Sequence, residues 1–333
     1  MFTLKKSLIL ALFVLTTQSI FSQVELKLGT VAPTGTPWAD ELNGIKKRVE
    51  TESNKGIKMK IFLGGQLGGE NEILQGIRKG RIQGGGLTAG AVASVIPEMD
   101  ILESPYMFDS QKQADCILDN HLLEPFKTLF DEKGLIFVSW AENGYRNIGT
   151  KTKDVKSPAD LKGLKIRSQE SKIHLEFWKK IGASPVPIAI PEVLPSLQTG
   201  VVDGFDQTAL MTLAAEWQTA IKFYTVTEHI YQPAVVVYSK DFFNKQTDEN
   251  KKILMGTGNA MAPKARQAVR RLSAQLIKAL EDNSVKINKL SDAEKGAFKA
   301  LTSGVGEQMV AKIGGKASMI FGKIKEGKAA CGK

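Results

Sequence analysis

Glu72-Ile-Leu-Gln-Gly-Ile-Arg-Lys-Gly80-Arg-Ile-Gln-Gly84 and Glu192-Val-Leu-Pro-Ser-Leu-Gln-Thr-Gly200-Val-Val-Asp-Gly204 share one pattern. Each has Glu, two apolar residues, a third apolar residue three positions on, a glycine, and a short strand ending in glycine. The pattern predicts a helix with one face on a sheet, a glycine in the left-handed C-terminal position and an immediate strand. Its recurrence predicts two similar α/β lobes facing each other. Outward from the first copy, residues 24–31 alternate apolar with polar, as a half-buried strand does. Pro37–Glu52 reads as a helix capped by Thr36, with Pro37 in its first turn. A strand over 58–63, a glycine-rich loop over 64–69, a helix over 70–79 and a strand over 81–87 follow. Around the second copy, Ser157-Pro-Ala-Asp160 opens a short helix with a Ser cap and an acidic residue three positions later. A strand over 164–167, a helix over 171–181, a strand over 186–189, a helix over 191–199 and a strand over 201–206 complete the lobe. Strands alternating with helices predict βαβ units and a largely parallel sheet. Residues 249–283 read as one long helix, enough to brace both lobes at 1.5 Å per residue.

The chain has 333 residues, 42% hydrophobic and 24% charged, with apolar residues spread along its whole length. That composition excludes a disordered chain and a small disulfide scaffold, and the length suits two domains. At the N-terminus, Lys5 and Lys6 precede an apolar run over 8–15 and a polar stretch ending Ile20-Phe21-Ser22-Gln23. This is the outline of a signal peptide over residues 1–22, cleaved near Ser22; its apolar core is too short for the roughly 30 Å of membrane hydrocarbon. Export makes Cys116 and Cys331 a candidate disulfide. The tail Lys328-Ala-Ala-Cys-Gly-Lys333 reads as mobile, so a free Cys331 stays open beside it. The 45 Lys and Arg against 35 Asp and Glu give a net charge of +10, or +8 without the leader. The basic residues are scattered and not interleaved with aromatics, which reads as a solvated face rather than a nucleic-acid surface.

Catalytic signatures are missing: no G-x-S-x-G, H-E-x-x-H, C-x-x-C or phosphate-loop pattern occurs. His121, His174 and His229 are far apart in sequence and read as helix-face or strand-end residues, not as metal ligands. Two arginines fall where α/β lobes place ligands, at strand ends and the loops after them. Arg146 follows Asn143-Gly144-Tyr145, and Arg167 ends Leu164-Lys-Ile-Arg. A guanidinium held rigid at a strand end meets a carboxylate with a planar fork. An interlobe salt bridge explains the same pattern equally well.

Asp160-Leu-Lys-Gly-Leu-Lys-Ile-Arg167, Ile181-Gly-Ala-Ser-Pro-Val-Pro187 and the second copy of the repeat resemble the hallmark stretch of solute-binding proteins of tripartite ATP-independent periplasmic (TRAP) transporters, the DctP-like family. The resemblance runs from Leu28-Gly-Thr through Gln66-Leu-Gly68 and Pro105-Tyr-Met-Phe108 to about Tyr238. It implies a two-lobed α/β periplasmic binding protein fold with a long bracing helix across both lobes, no catalysis and no cofactor or metal. It also implies a periplasmic monomer that closes on a small organic acid and hands it to integral membrane subunits. Domain I is expected over 23–143 plus about 232–270, and domain II over 144–231 plus about 271–333, with joints near Asn143 and Tyr231-Gln232-Pro233. Carried over by residue, the resemblance makes Arg167 the grip on the ligand carboxylate, Arg146 a second ligand-facing arginine, and Gln207 the amide where many members have Asn. Tyr145, Phe205 and Ile190 are the expected apolar lining, and Thr88 and Glu70 the first-lobe candidates. Ile190-Pro-Glu-Val-Leu194 departs from the common Phe-Ser-Glu-Val-Tyr, and Thr88 and Ala91 take the polar positions of sugar-acid binders. A smaller or more apolar carboxylate is therefore expected in place of a hydroxyl-rich one. Two rivals stand beside this reading: a largely apolar ligand with the arginines paired internally, and an exported α/β enzyme.

Overall fold

In the computed structural model, which describes residues 23–256 and 258–332, one nine-stranded sheet runs through both lobes. The signal peptide expected over 1–22 lies outside these residues. The first lobe begins with β1 (Val24–Gly29), α1 (Pro37–Glu52), β2 (Ile57–Phe62), α2 (Glu70–Arg78), β3 (Gly84–Thr88) and α3 (Ala89–Val92). A 3₁₀ turn over Pro97–Glu103, α4 (Gln111–Ile117) and α5 (Leu123–Glu132) follow. The chain crosses on β4 (Leu135–Thr150) into β5 (Lys165–Ser168), α6 (Lys172–Ile181), β6 (Ser184–Pro187), α7 (Val193–Gln198), β7 (Gly204–Gln207) and α8 (Ala209–Ala214). It returns on β8 (Phe223–Ser239) to α9 (Lys240–Asn244) and α10 (Asp248–Met255). α11 (Gly258–Asp282), β9 (Lys286–Lys289), α12 (Asp292–Thr302), α13 (Val305–Ile313) and α14 (Ala317–Cys331) end it.

The sheet order is β2-β1-β3-β8-β4-β7-β5-β6, with β9 beside the first half of β8. Within each lobe the βαβ pairs are parallel, as the alternation predicts. The crossing strands are not: β4 and β8 pair antiparallel with each other, and with β7 and β3 respectively. Alternation cannot reveal them, because a strand buried on both faces reads as a continuous apolar run. The β4/β8 register slips between Glu142 and Gly144, opposite Gln232 and Pro233, and Gly144 there has φ +91°. A bulge bends the strand at that point.

The repeat behaves as its spacing predicts. Gly80 and Gly200 close their helices at φ +72° and +76°, where a Cβ would be strained. Gly84 and Gly204 begin their strands rather than end them, since the chain needs the residues after the helix to turn back to the sheet. Pro37–Glu52 is a helix with those bounds, and Thr36 accepts a hydrogen bond from the Ala39 N–H. Ser157 and Asp160 form a reciprocal capping box on a 3₁₀ turn over Pro158–Leu161. The strand expected at 186–189 lies earlier, at Ser184–Pro187.

The long helix differs from expectation in one respect: it is two helices, α10 and α11. α11 still braces the molecule. Arg266 pairs with Asp115 and Asp119 of the first lobe, Arg270 with Asp115 and Glu142, while Leu276, Ile277 and Leu280 pack into the second-lobe core. Twenty-five residues span about 37 Å at 1.5 Å each.

The tail is ordered as α14, whose Ala317, Ile320 and Ile324 are buried in the largest core cluster. Cys331 forms a disulfide with Cys116 on α4, and the Gln113 amide donates to the Gly332 carbonyl. The bond closes a loop of 215 residues, so it removes much chain entropy from the unfolded state. Replacing both cysteines by serine should lower unfolding stability by roughly 2–4 kcal/mol, read by urea denaturation. An unchanged midpoint would mean the helix needs no staple.

Candidate functional site

The lobes meet around a cavity of about 50 Å³. Val31, Trp38, Glu70 and Thr88 line it from the first lobe, Gln169, Ile190, Gln207 and Met211 from the second, and Asn143 and Gln232 from the crossing strands. On one side Thr88 meets Gln169 across the cleft, with the Gln169 amide donating to the Thr88 hydroxyl at 2.8 Å. On another, Pro191 and Ala189 lie against Gly65 and Gly69 so closely that a Cβ on either glycine would come within 3.0–3.2 Å of them.

Arg146, on β4, is wholly enclosed. Its Nε donates to Asp206 Oδ2 at 2.6 Å, its Nη2 to the Asp206 carbonyl at 2.5 Å, and its Nη1 to the carbonyl oxygens of Gln169 and Gln207 at 3.2 and 3.3 Å. Arg146 therefore does not present its fork to the cavity. It fixes two glutamine side chains by their oxygens, leaving their amino groups to point elsewhere. The Gln207 oxygen also accepts from the Thr208 N–H, and the Gln169 oxygen from the Gln232 amide. Asn143, Gln232 and Gln169 are thus chained amide to amide.

Arg167, on β5 beside β7, is buried too, but unlike Arg146 it is not fully paired. Its Nε donates to the Ile188 carbonyl at 2.8 Å and its guanidinium carbon lies 5.6 Å from the Trp217 ring centroid. Nη1 is buried and has no hydrogen-bond partner. Burial, with the Arg146 cation nearby, lowers its pKa to about 10. Arg167 stays charged at neutral pH.

Glu70 caps the first-lobe wall. Its carboxylate accepts from the Thr88 N–H at 2.6 Å and the Thr88 hydroxyl at 2.9 Å. Burial pushes its pKa up to about 7 against those bonds. Ile190 lines the cavity as expected of an apolar residue there. Phe205 does not: its ring is fully buried against Trp217 and over Gly149, where a Cβ would sit 2.5 Å from it. Tyr145 opens into a neighbouring concavity with Glu228 and Ile277, and its ring packs edge-on to Tyr231.

Four residues that the sequence did not place at the site complete it: Asp206, His174, His229 and Gln169. Asp206 is enclosed beside Arg146, and His229 Nε2 and His174 Nδ1 approach its Oδ2 at 3.3 and 3.6 Å. Burial raises the Asp206 pKa, but Arg146 and the histidines outweigh it and hold the group well below its ordinary value. The two histidines, far apart in sequence, converge on one carboxylate, a meeting that only topology reveals. The detectable signal was Asp206 itself, a charge beside Phe205 in a short strand. Gln169, at the end of the strand that carries Arg167, bridges the lobes. Among the described residues no cluster of His, Cys, Asp and Glu could hold a metal ion, and no helix is long and apolar enough to cross a membrane.

Residues 28–313 match the family described as bacterial extracellular solute-binding protein, family 7 (DctP). The chain belongs to this family. A solute-binding protein of Verminephrobacter eiseniae is 33% identical over 60% of the chain and 59% of its own length. The 2,3-diketo-L-gulonate-binding periplasmic protein YiaO of Escherichia coli is 29% identical over 74% of the chain and 75% of its own length. Among solved structures, a TRAP periplasmic solute-binding protein from Bordetella bronchiseptica, its bound density interpreted as pantoate, superposes with TM-score 0.84 at 27% identity, covering 91% of this chain and 99% of its own. A galactonate complex of the Advenella mimigardefordensis sugar-acid-binding protein superposes with TM-score 0.87 at 24% identity, over 92% and 99%, and shows the shared fold. DctP proteins are periplasmic binding proteins, and this one is a binding protein, not an enzyme.

Removing the Asp206 charge would leave Arg146 buried without its counter-ion. Asp206→Asn should cost roughly 3–5 kcal/mol at pH 7. Because the folded pKa of Asp206 is depressed, its contribution is full above the unfolded value near 3.9 and fades as pH falls through the folded value. Urea unfolding at pH 7 and at pH 3 checks this: the gap between the variants should narrow at the lower pH.

Proposed function

We propose that this protein is the periplasmic solute-binding subunit of a TRAP transporter. It captures a small organic acid with Arg167 and delivers it to integral membrane subunits after removal of a leader near Ser22. The observation that carries the reading is the buried Nη1 of Arg167, which has no partner. A buried donor without a partner is costly, and a buried cation more so. A carboxylate taking both outer nitrogens would relieve that cost with charge-assisted bonds. Arg146 is internally paired, as the apolar-ligand rival requires of both arginines; Arg167 departs from that rival. The small cavity and the mutually paired amides support an acid with few hydroxyls. Motion is read as closing of lobes over 23–143 plus about 232–270 and 144–231 plus about 271–333, except that α14 moves with the first lobe, to which its apolar face and the disulfide hold it. The bulge at Asn143 opposite Pro233 is the joint, and the protein works as a monomer.

A thermal-shift panel of small hydroxy, keto and sugar acids identifies the acid by the stability a bound ligand adds. Calorimetry of that acid should then show Arg167→Ala and Arg167→Lys weakened by roughly 2–5 kcal/mol, about thirty-fold or more. Lysine lacks the planar fork; Arg167→Lys within three-fold of wild type would promote the apolar-ligand reading.

Glu70 gives a second test. A carboxylate arriving near it favours its protonated form, so affinity should fall as pH rises through 7, by up to tenfold per unit. Glu70→Gln should flatten that slope between pH 6 and 8, and a slope surviving the substitution would assign the proton elsewhere.

A further inference from the structure

Beyond the cavity, the lobes share a second, polar contact. The second-lobe segment 168–174 rests on first-lobe residues 88–103. Gln169 donates to the Thr88 hydroxyl at 2.8 Å, the Ser171 hydroxyl to Asp100 Oδ1 at 2.6 Å, and His174 Nε2 lies 2.5 Å from Glu103 Oε2. Glu103 also accepts from the Gly90 N–H at 3.0 Å. All of these groups but Thr88 are buried. Other ties between the lobes are the backbone pairing of β4 and β8, the brace α11, which joins by ion pairs to Asp115, Asp119 and Glu142 and by apolar packing, and the approach of Ala189 and Pro191 to Gly69 and Gly65. Faces that stay together through a protein's life are mostly apolar; faces that part must be comfortable in water, and hydroxyl, amide, carboxylate and imidazole groups are.

The fit is close at one point. A Cβ on Gly90 would stand 2.6 Å from Gln169 Nε2, 2.8 Å from Glu103 Oε2 and 3.1 Å from Ser171 Cβ. Two of those three neighbours belong to the opposite lobe, and the third is the end of the Glu103 side chain, whose other oxygen accepts from the Gly90 N–H. The contact also reaches the cavity, because Thr88 and Gln169 line both. The Gln169 oxygen accepts from Arg146 and Gln232, and its amino group reaches Thr88, which donates to Glu70.

We propose that this contact is a latch, made when the lobes close and broken when they open, with Gln169 as the positioning residue that ties it to the state of the cavity. The proposal rests on the reading of the protein as one that closes on its ligand. A latch acts after the ligand has docked on an open lobe, so its loss shows in escape rather than in capture.

Gly90→Ala and Ser171→Ala, the second at a contact residue outside the cavity lining, test it in two arms. In the first arm, thermal unfolding is followed without added ligand. A latch leaves both midpoints within about 1 °C of wild type, because the lobes simply stay apart. A fall of several degrees in both variants would make the contact a fixed part of the folded core and overturn the proposal. The second arm uses pantoate as probe, with stopped-flow association and dissociation. Dissociation should be at least ten-fold faster in both variants, with association within about three-fold of wild type. Equal dissociation rates would overturn the latch. Failure of pantoate to bind the wild type would count against its acid class as ligand, with the latch still decided by the ligand-free midpoints.

Discussion

The arrangement depends on the buried ion pair between Arg146 and Asp206. Sealing both charges away from water is costly unless their remaining donors and acceptors are met. Here most are met, by the Asp206 carbonyl, two glutamine oxygens and an approaching histidine, while Asp206 Oδ1 has no hydrogen-bond partner. Two consequences reach the cavity. Gln169 and Gln207 are held by their oxygens, and Arg146 is neutralised. The second buried guanidinium, Arg167, which is not among the residues lining the cavity, is then left with a donor still to be met. One arginine thereby builds the wall while the other waits behind it.

The same division separates what sequence could reveal from what it could not. The repeat ending in Gly80 and Gly200, the helix Pro37–Glu52 and the capping box at Ser157 were legible because their signals are local: turn glycines, caps and one-sided periodicity. The antiparallel crossing strands were hidden because both faces are buried; the break between α10 and α11 had a local signal, Gly256 and Gly258, that the helix formers on either side outweighed. The family resemblance supplied Arg146 and Arg167 together as ligand-facing residues. Spacing cannot distinguish them, since the difference lies in Asp206, which only strand pairing brings to Arg146. Phe205 was expected at the cleft from its neighbours in sequence, yet its ring packs against Trp217 and Gly149 in the second-lobe core, while Gln207, two residues further along the same strand face, lines the cavity at the strand's end.

Around this centre the fold supplies freedom and restraint in turn. The bulge at Asn143 and Gly144 interrupts the paired strands where the lobes join, and α11 spans both lobes by ion pairs at one end and apolar packing at the other. The disulfide holds α14 to α4 within the first lobe, away from the cavity.

The central claim is that Arg167 takes the ligand carboxylate while Arg146 stays paired within the protein. A crystal structure with the identified acid bound measures this most directly. The account predicts carboxylate oxygens about 3 Å from both outer nitrogens of Arg167, with the Arg146–Asp206 pair unbroken. A carboxylate bound elsewhere, or Arg146 released from Asp206 to meet it, would contradict the account.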